Sequence, residues 1–269
     1  ALAASGIEAG DTDAIVLGTL TPDVFFPGTG VFLQRELGLE GIPALDLRAQ
    51  CSGFLYGLSV ADAWIRSGQY DTILLVGVEI HSTGMDMTTR GRDLTVLFGD
   101  GAGAVVLTSS AEDGRGVLST HIHADGRFAE MLWMESAASR NHPRISVRDI
   151  EEGKHYPLMQ GKEVFKHAVA RMPEVVMEAL SANGLTTDDI DLLIPHQANL
   201  RISQMVQRRL GLPDDKVVNN IDRYGNTTAA TIPIALAEAV RDDRLAPGDL
   251  LCLVAFGSGF TWGSALIRW

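Results

Sequence analysis

The stretch LAASGIEAGDTDAIV, residues 2–16, returns as LSANGLTTDDIDLLI, residues 180–194, at a constant offset. Gly6 pairs with Gly184, Asp11 with Asp189, and Asp13 with Asp191. One such window could arise by chance, but a second echo supports it. Phe98-Gly99-Asp100-Gly101 matches Phe256-Gly257-Ser258-Gly259, and each leads into an apolar run of strand length. The pattern reads as an internal duplication: two similar strand–helix halves, 1–115 and 116–269, packed about a pseudo-twofold. Two copies are too few for a solenoid.

Outward from these echoes, strand-length apolar runs alternate with helix-length amphipathic stretches. In the first half the expected strands are 14–20, 44–49, 72–80 and 102–108. In the second they are 116–124, 191–196, 216–222, 250–256 and 264–269. Most are apolar almost throughout, as expected of sheets covered on both faces. A strand (116–124) and a long helix, about 162–183, stand before Gly184, while almost nothing stands before Gly6. The duplication therefore leads us to expect that residues 1–5 are the last turn of a helix, with a strand and most of that helix missing from the N-terminus. The segment 125–160 is a long connection, suited equally to a lid or a surface excursion.

The 269 residues are 46% hydrophobic, enough for a large core. A net charge of −12 argues against a nucleic-acid partner. No apolar run approaches the ~18–20 residues of a membrane span, so no membrane is expected. Two cysteines without a secretory signal point to a reducing, cytoplasmic setting. Cys252, inside LLCLVAF, reads as a buried strand residue.

Three motifs carry chemistry: AQCSGF around Cys51, PHQAN around His196 and YGNTT around Asn226. Each functional residue stands where an expected strand has ended. Cys51 also opens a helical pattern through Phe54, Leu58, Ala61 and Ile65 that stops at Gly68, and a helix start there would favour a thiolate. Such a trio suits thioester chemistry. The thiol takes an acyl group, and two N–H donors, from His196 and Asn226, steady the charge that develops when a second acyl unit is activated. Backbone N–H groups of Cys51 and of Ser258, in the Gly257-Ser258-Gly259 turn, would form an oxyanion hole. Each residue also has a plain reading: an inert buried cysteine, a histidine or asparagine capping the next helix, an ordinary tight turn.

Other signals carry less. Gly99-Asp100-Gly101-Ala102-Gly103 is followed by a strand, which excludes a nucleotide-binding turn. His121 and His123 share a strand face but lack further ligands of suitable spacing. His81, His142, His155 and His167 read as surface or packing residues. Arg201, Arg208 and Arg209 fall on one helix face after His196, with Lys166 on the preceding helix. A basic patch on an acidic chain suggests an acidic partner docking there; a solvated helix face is the alternative.

At these residues the chain resembles the β-ketoacyl-[acyl-carrier-protein] synthase III family of condensing enzymes, from residue 1 to Trp269. The motifs include AQCSGF, TRGRDLTVLFGDGAGAVVL, THIHADG, GKEVFKHAV, LIPHQANLRI, DRYGNTTAATIP and AFGSGFTWGSALIRW. The resemblance implies a thiolase-like, duplicated five-layered α/β/α/β/α fold. It implies that Cys51 is acylated from acyl-CoA, and that His196 and Asn226 support decarboxylation of malonyl-acyl-carrier protein. It assigns Phe26 to the acyl pocket of the partner subunit in a homodimer, and Arg90, Gly161 and Asn199 to coenzyme A contacts. Phe260 favours the fatty-acid reading and is counted with the substrate residues. Lys166, Arg201, Arg208 and Arg209 fall to carrier-protein docking, and no metal or redox cofactor is required. Ser258 stands where the family commonly has glycine, and the 130–157 connection is longer than in the best-known bacterial members. LDLRAQCSG also resembles synthases of quinolone and other secondary metabolites. A cysteine peptidase, which orders Cys, His and Asn in the same way, and a non-catalytic carrier-binding scaffold are the remaining alternatives.

Overall fold

The computed structural model describes residues 1–110 and 114–269, and two mixed sheets organise them. The first is built from β1 (Ala14–Gly18), β2 (Ala44–Leu47), β3 (Thr72–Glu79) and β4 (Gly101–Thr108), in the order β2-β1-β3-β4. The second uses β5 (Gly116–Ala124), then, beyond a small hairpin of β6 (Leu132–Trp133) and β7 (Leu158–Met159), β8 (Leu192–Pro195), β9 (Leu250–Gly257) and β10 (Thr261–Arg268). Its order is β5-β10-β9-β8. In each sheet a parallel pair is followed by an antiparallel neighbour: β1 with β3 then β4, and β8 with β9 then β10.

Five longer helices fill the spaces. Helix α1 (Thr29–Glu36) covers the outer face of the first sheet at β1 and β2. Helices α2 (Gly53–Arg66) and α5 (Thr231–Arg241) lie between the sheets, and each touches strands of both. Helices α3 (Gly161–Ala182) and α4 (Leu200–Leu210) cover the outer face of the second sheet. This is the expected five-layered α/β/α/β/α thiolase arrangement. Strand β9 shows why its sequence is apolar at every step. Cys252, Val254 and Phe256 pack with α3 and α4, while Leu251, Leu253 and Ala255 pack with the inner helices. Full burial of each large side chain there contributes about 1.5–3 kcal/mol.

The sequence echo is structural. Gly6 and Gly184 each follow a helix with φ of 71° and 67°, a left-handed conformation that glycine adopts without a Cβ clash. Asp13 accepts from the Thr72 N–H at the start of β3, and Asp191 accepts from the Leu250 N–H at the start of β9, both at 2.8 Å. The two aspartates thus anchor equivalent strands in the two halves.

Residues 216–222 do not form the expected strand. They make one parallel bridge, Val217 to Leu193, and then turn into a short helix, Ile221–Tyr224. The side chain of Gln197 takes up the backbone there, donating to the Val218 carbonyl and accepting from the Asn220 N–H. The 125–160 connection is not wholly irregular. It holds β6, β7 and a short helix, Val147–Glu151, closed by a reciprocal Ser146–Asp149 cap. Among the described residues, no helix is long and apolar enough to cross a membrane.

Candidate active site

Cys51 lies in a tight turn, Gln50–Ser52, that joins β2 to α2. Gln50 holds a positive φ of 44°, an uncommon conformation for a side chain of its size, immediately before the thiol. The end of β9 presses on this turn. A Cβ added to Gly257 would stand 2.7 Å from the Cys51 Cβ, so only glycine permits the approach. The backbone N–H groups of Cys51 and Ser258 both favour the charged form of the sulfur.

The resting thiol differs from the expectation of a thiolate at a helix start. Burial, reinforced by the nearby Glu79 carboxylate, pushes the Cys51 pKa up to about 12, and the two N–H groups do not offset it. Glu79 is itself buried, bonded by Thr21 and the Leu20 N–H, and its own pKa is raised by burial.

His196 follows β8, and its N–H donates to the Val254 carbonyl at 2.8 Å, fixing the imidazole beside the end of β9. Its Nδ1 lies 2.6 Å from Thr231 Oγ1, and its buried Nε2 bonds to no protein group among the described residues. Burial lowers its pKa to about 3, so the ring is neutral at physiological pH. Asn226 is held from both sides: its N–H donates to the Leu97 carbonyl, and its own carbonyl accepts from Gly99. Asn226 Oδ1 accepts from the Thr228 N–H at 2.9 Å, which leaves the amide NH₂ as its available end.

Cys51, His196 and Asn226 line one cavity of about 110 Å³. Gly161 and Asn199 line it too, Asn199 also capping α4 by accepting from the Arg201 N–H. Phe260 does not line it: it is buried among Phe128, His167 and Phe256, and Phe256 takes the wall position. Phe26 is 78% exposed and away from the cavity. Arg90 also lies outside the lining, held by Asp86 at 2.5 Å with its guanidinium over Tyr156. Lys166, Arg201, Arg208 and Arg209 are exposed on α3 and α4. Arg209 donates to the Val169 carbonyl, and Lys166 sits 3.8 Å from Glu163.

Sequence reasoning missed Leu132 and Met159, contributed to the wall by the β6–β7 hairpin, and it missed Phe98 and Phe165. Phe98 could have been found, since it opens the FGDG echo of the FGSG turn. Both His121 and His123 bond Glu178, at 3.2 and 2.8 Å, and among the described residues no three His, Cys, Asp or Glu side chains form a metal-holding group. His81 is buried, not superficial, against Thr228. Cys252 is buried in β9, as expected.

A buried thiol, a neutral imidazole and a free amide around one cavity in a doubled five-layer fold define a thiolase-type acyl-transfer enzyme. The profile described as 3-oxoacyl-[acyl-carrier-protein] synthase III matches residues 45–126, and that of its C-terminal part matches residues 180–269. A β-ketoacyl-[acyl-carrier-protein] synthase III of Xanthomonas campestris pv. campestris is 51% identical over 269 residues, covering all of this chain and 80% of the relative. The crystal structure of the 3-oxoacyl-[acyl-carrier-protein] synthase III of Aquifex aeolicus superposes with a TM-score of 0.91 at 40% identity, over 100% of this chain and 81% of that one. The priming β-ketosynthase of a polyketide biosynthetic pathway superposes with a TM-score of 0.87 at 33% identity, over 99% and 78%. The chain belongs to the 3-oxoacyl-[acyl-carrier-protein] synthase III family of acyltransferases, and the peptidase and scaffold alternatives fall with that membership.

Proposed function

We propose that this chain condenses an acyl-CoA starter with malonyl-acyl-carrier protein, the initiating step of fatty acid synthesis. The observation that carries the reading is the convergence of Cys51, His196 and Asn226 on one cavity, with two backbone N–H groups at the sulfur. Cys51 attacks the acyl-CoA carbonyl, the Cys51 and Ser258 N–H groups hold the oxyanion, and the thiol proton ends on the departing coenzyme A sulfur. The malonyl unit then loses CO₂. Asn226 and His196 steady the enolate, whose carbon attacks the Cys51 thioester and expels the thiolate. These groups carry every step, so the proposal calls for no metal or redox cofactor.

Arg90, Gly161 and Asn199 are assigned to coenzyme A or its carrier-bound arm, and Lys166, Arg201, Arg208 and Arg209 to docking of an acidic carrier protein. Neighbouring exposed Val24, Phe25 and Phe26 fit a homodimer in which Phe26 closes the partner's pocket. Two unpaired cysteines suit a reducing cytoplasm.

A secondary-metabolite product is the second reading, favoured by the likeness to the polyketide priming synthase. Mixing the protein with a panel of acyl-CoA starters and mapping adducts by peptide mass separates the two. Acetyl and other short alkyl adducts on Cys51 are expected. Labelling of Cys252, undiminished labelling in Cys51→Ala, or reaction with aromatic starters alone would overturn the first reading.

A further inference from the structure

The hydroxyl of Thr231 serves two neighbours at once. Its single hydrogen is directed at the Thr228 carbonyl, 2.9 Å away, which accepts from the Thr231 N–H as well. Toward His196 Nδ1, 2.6 Å away, the Thr231 oxygen can therefore act only as acceptor. With the hydroxyl hydrogen so directed, Nδ1 carries the hydrogen of the neutral ring, and Nε2 keeps a bare lone pair. Nε2 is also the nitrogen without a protein partner, and Cys51 and His196 are the titratable side chains lining the cavity. In the resting protein Asn226 thus turns its NH₂ end free, while His196 offers an acceptor.

Decarboxylative condensation consumes one proton. The bond to CO₂ breaks and its electron pair forms the new carbon–carbon bond. The sulfur–acyl bond then breaks, its pair stays on Cys51, and the thiolate must take a proton that comes from water. We infer that Thr231 is a positioning residue that commits Nδ1 of His196 to donation, so that this proton enters and leaves at Nε2. The inference rests on the condensing reaction proposed above. Neutral during acylation, the ring takes up the proton once the malonyl charge enters the cavity. It faces the enolate oxygen as an Nε2–H donor, then passes the proton to the Cys51 sulfur. The imidazolium carries hydrogen on both nitrogens, so the Thr231 oxygen accepts from Nδ1–H in either state and the ring need not turn. Thr231 opens α5 and Thr228 bonds Asn226, so one loop sets the hydrogen-bonding state of both catalytic side chains.

The test compares the wild type with Thr231→Ser, which keeps the hydroxyl, and Thr231→Val, which keeps the shape without it. Nitrogen-15 NMR of the labelled histidine ring in the resting protein should show a protonated Nδ1 and a bare Nε2 in the wild type and the serine variant. The valine variant should show a mixed or reversed tautomer. With acetyl-CoA and malonyl-carrier protein, valine should lower kcat about tenfold, the scale of one buried hydrogen bond. It should leave the malonyl-carrier KM and the rate of Cys51 acylation unchanged, and serine should stay within about twofold of wild type. Hydrogen on Nε2 in the resting wild type would overturn the inference alone. Unimpaired condensation by valine, or serine as slow as valine, would do the same. A wild type that acylates Cys51 yet never condenses malonyl units would overturn the functional reading as well, whichever tautomer it shows.

Discussion

Gly257→Ala probes the contact that sets the oxyanion hole. The added methyl would lie 2.7 Å from the Cys51 Cβ and 3.0 Å from the Cys51 nitrogen. Carbon atoms rest comfortably at about 3.5–4.0 Å, so the overlap is roughly 0.8 Å. Both obstructing atoms belong to the buried turn at Cys51 and neither is the loose end of a long side chain. Relief must come from parting the end of β9 from that turn. The movement pulls the Ser258 N–H, one residue on, away from the Cys51 N–H, and the two then miss a common oxyanion. A displacement approaching 1 Å costs on the order of 10² in rate, and overpacking costs about 1–3 kcal/mol of stability. The assay is the rate of acetyl transfer from acetyl-CoA to Cys51, followed by mass, with a thermal melt of each variant. Gly10→Ala is the control, because a Cβ there meets nothing within 4 Å. Acylation by Gly257→Ala within threefold of wild type would refute the reasoning.

Removing either polar partner should separate the half-reactions. His196→Ala and Asn226→Ala are expected to lose malonyl decarboxylation by about 10²-fold or more while Cys51 still acylates, checked by CO₂ release and adduct mass. Charge reversal at Arg201 and Arg208 should raise KM for malonyl-carrier protein and flatten its salt dependence, with acetyl-CoA acylation unchanged. An unaltered carrier KM would make the patch a solvated helix face. Stability should fall in acid: burial holds His196 at about 3 and His81 at about 4, both below the ordinary 6.5. The unfolded chain therefore binds protons first, so their contribution is complete above pH 6.5 and is lost as pH falls toward 4 and 3. Melts from pH 8 to 4 should show a shallower decline in His81→Gln than in wild type.

The duplication was legible because it is written in local chemistry: a left-handed glycine after a helix, then an aspartate that anchors a neighbouring strand. The places of Cys51 and His196 were legible because each stands just past a strand, β2 and β8, whereas Asn226 follows a short helix and pairs with Phe98 in an isolated bridge. What failed depends on partners distant in sequence. The thiolate expectation counted the nearby helix start and could not see Glu79 or the enclosing walls. Residues 216–222 have strand composition, but Gln197, from another element, occupies their backbone groups. Phe256 and Phe260 flank one turn, and only the packing of Phe128 and His167 decides which faces the cavity.

The raised pKa of Cys51 has a consequence for what else can modify it. Burial therefore keeps the resting thiol almost wholly protonated at neutral pH. Peroxide and simple alkylating agents react with the anion, so the resting nucleophile is shielded from oxidative damage and from general thiol poisons. A covalent inhibitor gains little here from a more aggressive electrophile. It gains by presenting a carbonyl oxygen to the Cys51 and Ser258 N–H groups, so that the sulfur gives up its proton only as the new bond forms.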